Sequence, residues 1–189
     1  MAVKAAVRLP PEPARFYLAL LFSHGRDVNK ALSNTEPPIL RYASLTGKVT
    51  GLIEGSTTLH DLSLTHWLLG IGADPTAACD IDYTPLSVAV RTPGLSAVRL
   101  LLRHAKHSHN GHLIYHTTQG ADTDETAQMI RLLHQHEKPV HQILWQDTKS
   151  YCLRAQFLRG IPLFYACREN KALVASTLLA LGADPDKAS

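Results

Sequence analysis

Cysteine is scarce in this sequence, and the few cysteines present form no motif. The 189 residues contain only Cys79, Cys152 and Cys167, which lie far apart and include no Cys-x-x-Cys pair. An odd number of widely spaced cysteines does not build the disulfide framework on which small secreted proteins rely. We therefore interpret them as reduced thiols and expect the protein in the cytoplasm or the nucleus.

Long hydrophobic runs are missing as well. The apolar segment at 16–22 is too short to span a bilayer, and it follows three closely spaced prolines. It also lacks the form of a secretory signal peptide. We therefore expect no contact with a membrane.

A strong excess of one charge is absent. The net charge is +3, charged residues make up 19% of the chain, and lysine and arginine form no run. This composition argues against the basic stripe that follows the phosphates of a nucleic acid. Apolar residues amount to 45%, which is ordinary for a soluble protein and sufficient for the core of a single domain over 1–189.

The motifs of common enzymes are not found. The sequence has no Gly-x-Ser-x-Gly, no His-Glu-x-x-His, no phosphate-binding P-loop and no dinucleotide fingerprint. No spacing joins Cys152 or Cys167 to a histidine as a nucleophile with its base. We accordingly predict no cofactor.

The most informative stretch is 62–89, LSLTHWLLGIGADPTAACDIDYTPLSVA. An apolar helix at 62–70 is followed by Gly72, which tolerates the left-handed conformation that often ends a helix. An extended hairpin segment then runs to Tyr83. Thr84 can cap the next helix, and Pro85 suits its first position because the N–H there needs no helical partner.

The pattern LLxxGADP followed by TPLxxA resembles the ankyrin repeat, which has a period of about 33 residues. The resemblance implies an all-α solenoid of stacked helix pairs with short β-hairpin fingers. The degenerate repeats and long insertions also resemble ankyrin proteins of filamentous fungi. For function, the resemblance implies a scaffold whose partner is set by variable surface residues.

The turn residue after each outer helix predicts the register of the array. It falls at Gly25, Gly72, Ala105, Glu137 and Gly182, at intervals of 47, 33, 32 and 45 residues. Two intervals match the repeat and two exceed it by about 13 residues, as loop insertions in a solenoid would produce. The leucine pairs that precede the turns should be buried between layers; they are Leu68, Leu69, Leu101, Leu102, Leu132, Leu133, Leu178 and Leu179.

The inner helices align independently on a small residue near their ends. Their predicted ranges are 38–43, 84–89, 112–117 and 161–166. The predicted domain begins with a half-repeat at 12–29 that lacks a clear inner helix. Four repeats follow, at about 34–75, 80–110, 111–138 and 160–186.

Two insertions interrupt this array, at 47–59 and 138–159. The first contains three glycines, and the second is interpreted as an enlarged hairpin that turns at 147–149. In the stacked array, the inner helices would border a groove, and the two insertions would extend its opposite rims. Long loops often carry function, but insertions without function are equally tolerated, so both alternatives stay open.

Eleven histidines are many for this length, and several have spacings that would suit zinc. His24, His104 and His136, however, all lie just before a turn residue, where an imidazole can cap the end of a helix. His107 and His109 fall in a short loop with no cysteine nearby. We therefore predict no metal site.

The groove along the inner helices is the candidate binding site that the resemblance implies. Its candidate residues are Asp80, Ile81 and Tyr83 on a finger, Arg91, Arg168 and Glu169 at the ends of inner helices, and Arg41, His112, Tyr115, His116 and Tyr165 within inner helices. Together they would form a surface rich in arginine, histidine and tyrosine, which suits acidic peptides or polar ligands.

Two functions of different classes remain open. The first is a monomeric, non-catalytic binding module that recognises a protein partner through the groove and the finger tips. The second is an enzyme that binds a small molecule in a groove closed by the two insertions. It would be an acid–base cyclase or isomerase, for example of fungal secondary metabolism, with His112, His116 and Glu169 as candidate catalytic residues. An open groove favours the binding module, and a closed pocket favours the enzyme.

Overall fold

The computed structural model describes residues 2–43, 62–91, 94–105, 112–136, 138–144 and 160–187. Some of the predictions concern residues outside these ranges. They are the insertion at 47–59, the turn at 147–149 with most of the insertion at 138–159, the turn residue Glu137, and His107, His109 and Cys152.

The described residues form ten α-helices in two layers. The inner layer contains α1 Ala2–Ala6, α3 Leu40–Ala43, α5 Pro85–Ala89, α7 Leu113–Thr118 and α9 Pro162–Arg168. The outer layer contains α2 Pro11–Ser23, α4 Ser63–Gly70, α6 Leu95–His104, α8 Asp124–Gln135 and α10 Ala172–Ala180. Within these ranges, no helix has the length and apolar character that crossing a membrane requires.

Each inner helix packs against the outer helix that follows it, and the resulting pairs stack side by side. In the inner layer, α3 packs on α5, α5 on α7, and α7 on α9. In the outer layer, α2 packs on α4, and α8 on α10. The elements therefore contact their neighbours in sequence order, which is the organisation of a solenoid.

The core between the two layers consists of leucines at one repeated position, four residues before each turn. Leu68, Leu101, Leu133 and Leu178 are all 0% exposed. The expectation for Leu179 was wrong, because its side chain is 47% exposed. It lies on the side of α10 that no other described outer helix covers.

The helix ends follow the local signals that the sequence contains. The Thr84 hydroxyl accepts a hydrogen bond from the Ser87 N–H at 2.9 Å, and the Ser87 hydroxyl accepts one from the Thr84 N–H at 2.9 Å. This reciprocal capping box fixes the start of α5. Gly72 ends α4 with a φ of 93°, a conformation that glycine adopts without strain.

The first helix pair is more complete than the predicted half-repeat at 12–29. The helix α1 was not predicted, and its Val3 and Ala6 are buried in the same core as Leu18 of α2. Five residues without a polar cap, directly before a proline-rich segment, gave no helix signal. The N-terminal outer helix therefore does have an inner partner.

The finger before α5 is a tight turn. The Cys79 N–H donates to the Tyr83 carbonyl and the Asp82 N–H donates to the Cys79 carbonyl, both at 3.0 Å, and Asp82 has a φ of 58°. Over the described ranges, β pairing is limited to an isolated bridge between Ser33 and Glu36. The expected hairpin fingers thus lack extended strands here.

Side-chain amide and carboxylate groups join successive repeats. The Asn29 side chain donates to the Gly72 carbonyl at 3.0 Å and accepts from the Asp74 N–H at 2.7 Å. The Asp122 carboxylate accepts from the N–H groups of Leu173 and Val174 at 3.2 and 2.9 Å. These bonds fix the register of one repeat on the next.

Candidate binding face

A row of aromatic rings and one arginine runs along the inner layer, and we call it the inner-face ladder. Ring centroids are separated by 5.0 Å between Tyr83 and His116, 5.1 Å between His116 and Tyr115, and 4.8 Å between Tyr115 and Tyr165. The Phe164 ring lies 5.3 Å from that of Tyr165. The full set is Tyr83, His116, Tyr115, Tyr165, Phe164 and Arg168.

The ladder ends in a cation held over two rings. The guanidinium carbon of Arg168 lies 4.8 Å from the Tyr165 ring centroid and 5.9 Å from that of Phe164. An arginine at this distance is attracted to the negative face of the ring. The contact holds the cation in place while 44% of its side chain stays exposed to solvent.

Half-buried and buried rings alternate along the ladder, which ends in an exposed ring and an exposed arginine. His116 is 1% exposed and Tyr165 is 4% exposed, whereas Tyr83 and Tyr115 are half-buried. Phe164 is 40% exposed. The ladder therefore combines a buried base, which fixes the rings, with an accessible surface of aromatic edges and one guanidinium group.

The sequence of the inner helices explains how the rings come together. Tyr83 directly precedes the cap of α5, Tyr115 lies in α7 and Tyr165 lies in α9, so three successive repeats each contribute one tyrosine, from different repeat positions. Leu144 is 1% exposed and packs with Tyr165, and Tyr83 and Tyr115 pack against them. Stacking of the three inner helices thus converts separate aromatic residues into one row.

A small network of charges borders the ladder. The Lys171 ammonium donates to the Glu169 carboxylate at 2.6 Å and to the Thr118 carbonyl at 2.5 Å. The hydrogen bond from Lys171 lowers the pKa of Glu169 below its ordinary value, and the nearby charges of Lys171 and Arg168 add to this effect. Burial raises the pKa of Tyr165, although the charge of Arg168 acts in the opposite direction.

Arg41 belongs to a different cluster. Its guanidinium lies 3.6 Å from the Glu36 carboxylate and 4.8 Å from the centroid of the Tyr42 ring. Glu36 also accepts a hydrogen bond from Lys4, and this bond lowers the pKa of the carboxyl below its usual range. Arg41 is thus engaged in an ion-pair network between α1 and α3.

Asp80 and Arg91 lie at the two ends of α5. Asp80 is exposed on the finger before the helix, with Ile81 half-buried beside it. Arg91 is exposed at the far end, where it lines a cleft of about 610 Å³ together with Gln119 and the start of α8. These residues mark the opposite rims of the inner face.

The two histidines of α7 lie in the interior. His112 is 5% exposed and His116 is 1% exposed, so neither presents an open imidazole to the inner face. Glu169, the proposed carboxylate partner, is held by Lys171. Any role of these three residues in binding or catalysis therefore stays a prediction.

The structural role predicted for the other histidines is confirmed where the structure describes the bond. The His24 imidazole donates from Nδ1 to the Leu20 carbonyl at 2.8 Å, and His104 donates in the same way to Leu100 at 3.0 Å. In the described residues, no three histidine, cysteine, aspartate or glutamate side chains are grouped to hold a metal.

Sequence reasoning missed two residues of this face. Phe164 and Leu144 were not considered, although Phe164 lies two residues before the small Ala166, as Tyr115 does before Thr117. That repeat position was the available signal for Phe164. Leu144 lies inside a predicted insertion, and no repeat pattern marks it.

The fold of this chain is similar to that of known ankyrin repeat domains, although no family model and no curated protein matches its sequence. Two similar solved structures are the ankyrin repeat domain of Bcl-3, a unique member of the IkappaB protein family, and the human ASB11 ankyrin repeat domain. The first has a TM-score of 0.64 at 17% identity and covers 97% of this chain and 72% of the other. The second has a TM-score of 0.57 at 20% identity and covers 97% and 69%.

Proposed function

We propose, from the ankyrin-repeat fold that this chain has, that the protein is a non-catalytic binding module for a protein partner. The partner would lie on the inner face and the finger tips. The observation that carries this proposal is the inner-face ladder, which presents aromatic edges and a guanidinium group across three repeats.

The chemistry of the ladder favours a protein surface as its ligand. Tyrosine and arginine dominate the residues that contribute most of the energy of protein interfaces. Rings that already pack against each other lose little conformational freedom on binding, so more of the contact energy appears as affinity. Tyr83 and Tyr115 have both properties, and Phe164 adds a third packed ring.

The charges of the inner face favour a partner with carboxylate groups. Arg168 and Arg91 are both exposed, and arginine binds carboxylates through paired N–H donors. The Glu169 carboxylate lies 3.6 Å from the Arg168 guanidinium, but Lys171 holds it more closely, at 2.6 Å. An acidic segment with an apolar residue would satisfy both the cations and the rings.

No observation favours the acid–base enzyme. His112 and His116 are buried and the Glu169 carboxylate is held in an ion pair. The cleft near Arg91 is lined by other residues, at the turn before α8.

The proposal is tested by affinity capture from the natural source with three forms of the chain. They are the unchanged protein, the variant Arg91→Ala/Arg168→Ala, and the matched variant Arg99→Ala/Arg103→Ala. The last pair lies exposed on the outer helix α6, so both variants lose the same charge. We expect the inner-face variant to lose its specific partner and the outer-helix variant to retain it.

Thermal unfolding of the three forms provides the control for folding. All four arginines are exposed, so neither double variant should change the unfolding temperature by more than a few degrees. Equal capture of one partner by all three forms would exclude the inner face as its site.

A further inference from the structure

The outer helices contact each other through two repeated positions. Phe22 of α2 lies three residues before its turn residue Gly25, and its ring stacks on Trp67 of α4 with centroids 6.3 Å apart. Trp67 lies five residues before its own turn residue, Gly72. We call these the forward position and the backward position, because the first faces the next repeat and the second faces the preceding one.

The backward position is covered in every repeat that has a described repeat before it. Trp67 packs against the core, and Leu100, Leu132 and Thr177 are 7%, 3% and 3% exposed. The same position in the first repeat is Leu20, which is 47% exposed. Tyr17 shows the same contrast, because its side chain is 49% exposed. The residues at the same repeat position in the other outer helices are at most 9% exposed; they are Leu64, Ala97, Met129 and Val174.

The forward position shows the reverse contrast: its apolar side chains are buried or half-buried within the array, and the one in the last repeat is exposed. Leu69 and Leu102 are 7% and 9% exposed, and His134 is the polar exception. In the last repeat the forward position is Leu179, which is 47% exposed. The helix that contains it, ALVASTLLA, has no charged residue, whereas a terminal repeat that meets only water needs a polar outer face.

We propose that this chain associates end to end with further copies of itself. Leu179 on α10 of one copy would pack against Leu20 and Tyr17 on α2 of the next, as Phe22 packs on Trp67 within one chain. Among the described residues no helix covers either of these two faces, and a second copy would continue the internal packing between outer helices. This departs from the monomer that the sequence analysis predicted.

The contact joins two different surfaces, so it does not close by twofold symmetry. A head-to-tail contact of this kind produces open chains or rings rather than a fixed dimer. The mass of the protein should therefore increase steadily with concentration. It would not stop at twice the 20.7 kDa of one chain.

Sedimentation velocity on the full chain tests the proposal directly. The unchanged protein is measured from about 5 µM to about 500 µM, a range in which small interfaces associate. Leu20→Asp blocks one end and Leu179→Asp blocks the other, and each variant alone should stay at 20.7 kDa. Mixed in equal amounts, the two variants should form a dimer and nothing larger, because each retains one intact end.

Ala19→Asp is the matched control. Ala19 is exposed on α2, and its repeat position is also exposed in the other outer helices: His66, Arg99, Arg131 and Ser176. This variant should associate as the unchanged protein does. Circular dichroism of all variants confirms that they are folded.

Three outcomes would overturn the proposal. One is a single 20.7 kDa species for the unchanged protein over the whole concentration range. Another is association that survives both end substitutions, and the third is loss of association in Ala19→Asp. Because none of these variants alters the inner-face ladder, failure here leaves the proposed binding function intact.

Discussion

Leucines recur in the outer helices of this array, and their burial depends on the repeat position. Leu101→Ala should lower the free energy of unfolding by about 2–5 kcal/mol, because the side chain is 0% exposed and leaves a cavity. Leu179→Ala is the control at an exposed site and should change it by less than about 0.5 kcal/mol. Urea unfolding at low protein concentration measures both. Equal losses would mean that the register of α6 is wrong.

The contribution of Glu169 to the stability of the protein should depend on pH. Its pKa is lowered from the ordinary 4.5 by Lys171, so its contribution is present above about pH 4.5 and is lost as the pH falls through the folded-state pKa. Glu169→Gln should lower the stability at pH 7 by about 0.5–1.5 kcal/mol. The difference from the unchanged protein should disappear in acid. The ion pair would be unimportant if that difference were independent of pH.

At the scale of one helix, α10 depends on a residue from the repeat before it. Lys171 stands at its N-cap and provides no side-chain cap, whereas Asp122 accepts two of the free N–H groups. Asp122→Ala should therefore cost about 0.5–2 kcal/mol and speed hydrogen exchange at Leu173 and Val174. Asp80→Ala, on the exposed finger, is the control. It should neither lower the stability nor speed hydrogen exchange at Leu173 and Val174. Unchanged exchange in Asp122→Ala would contradict this role.

The bounds of some helices could be predicted from the sequence, whereas contacts between distant helices could not. The sequence predicted helices at 62–70 and 84–89 from Gly72, Thr84 and Pro85, and the structure has Ser63–Gly70 and Pro85–Ala89. Such local signals act within a few residues. The cap that Asp122 provides could not be predicted, because its partners are more than 50 residues away.

Over the whole molecule, the period of the turn residues predicted the stacked helix pairs, because each repeat must bury its apolar face on the next. The inner-face ladder was predicted less completely. Tyr83, Tyr115, Tyr165 and Arg168 do lie together, but His116 is buried beneath them. An inner helix of six residues contains too few turns to show which side faces a neighbouring helix.

We propose that the inner face, rather than the outer helices, holds a protein partner. The most direct measurement places a photo-crosslinking phenylalanine at Phe164 or at Phe16, which are 40% and 66% exposed on the two faces. Both substitutions replace the same residue type, and the products are identified by mass. We expect the captured partner to crosslink at 164 and not at 16. Crosslinking at 16 alone would contradict the account.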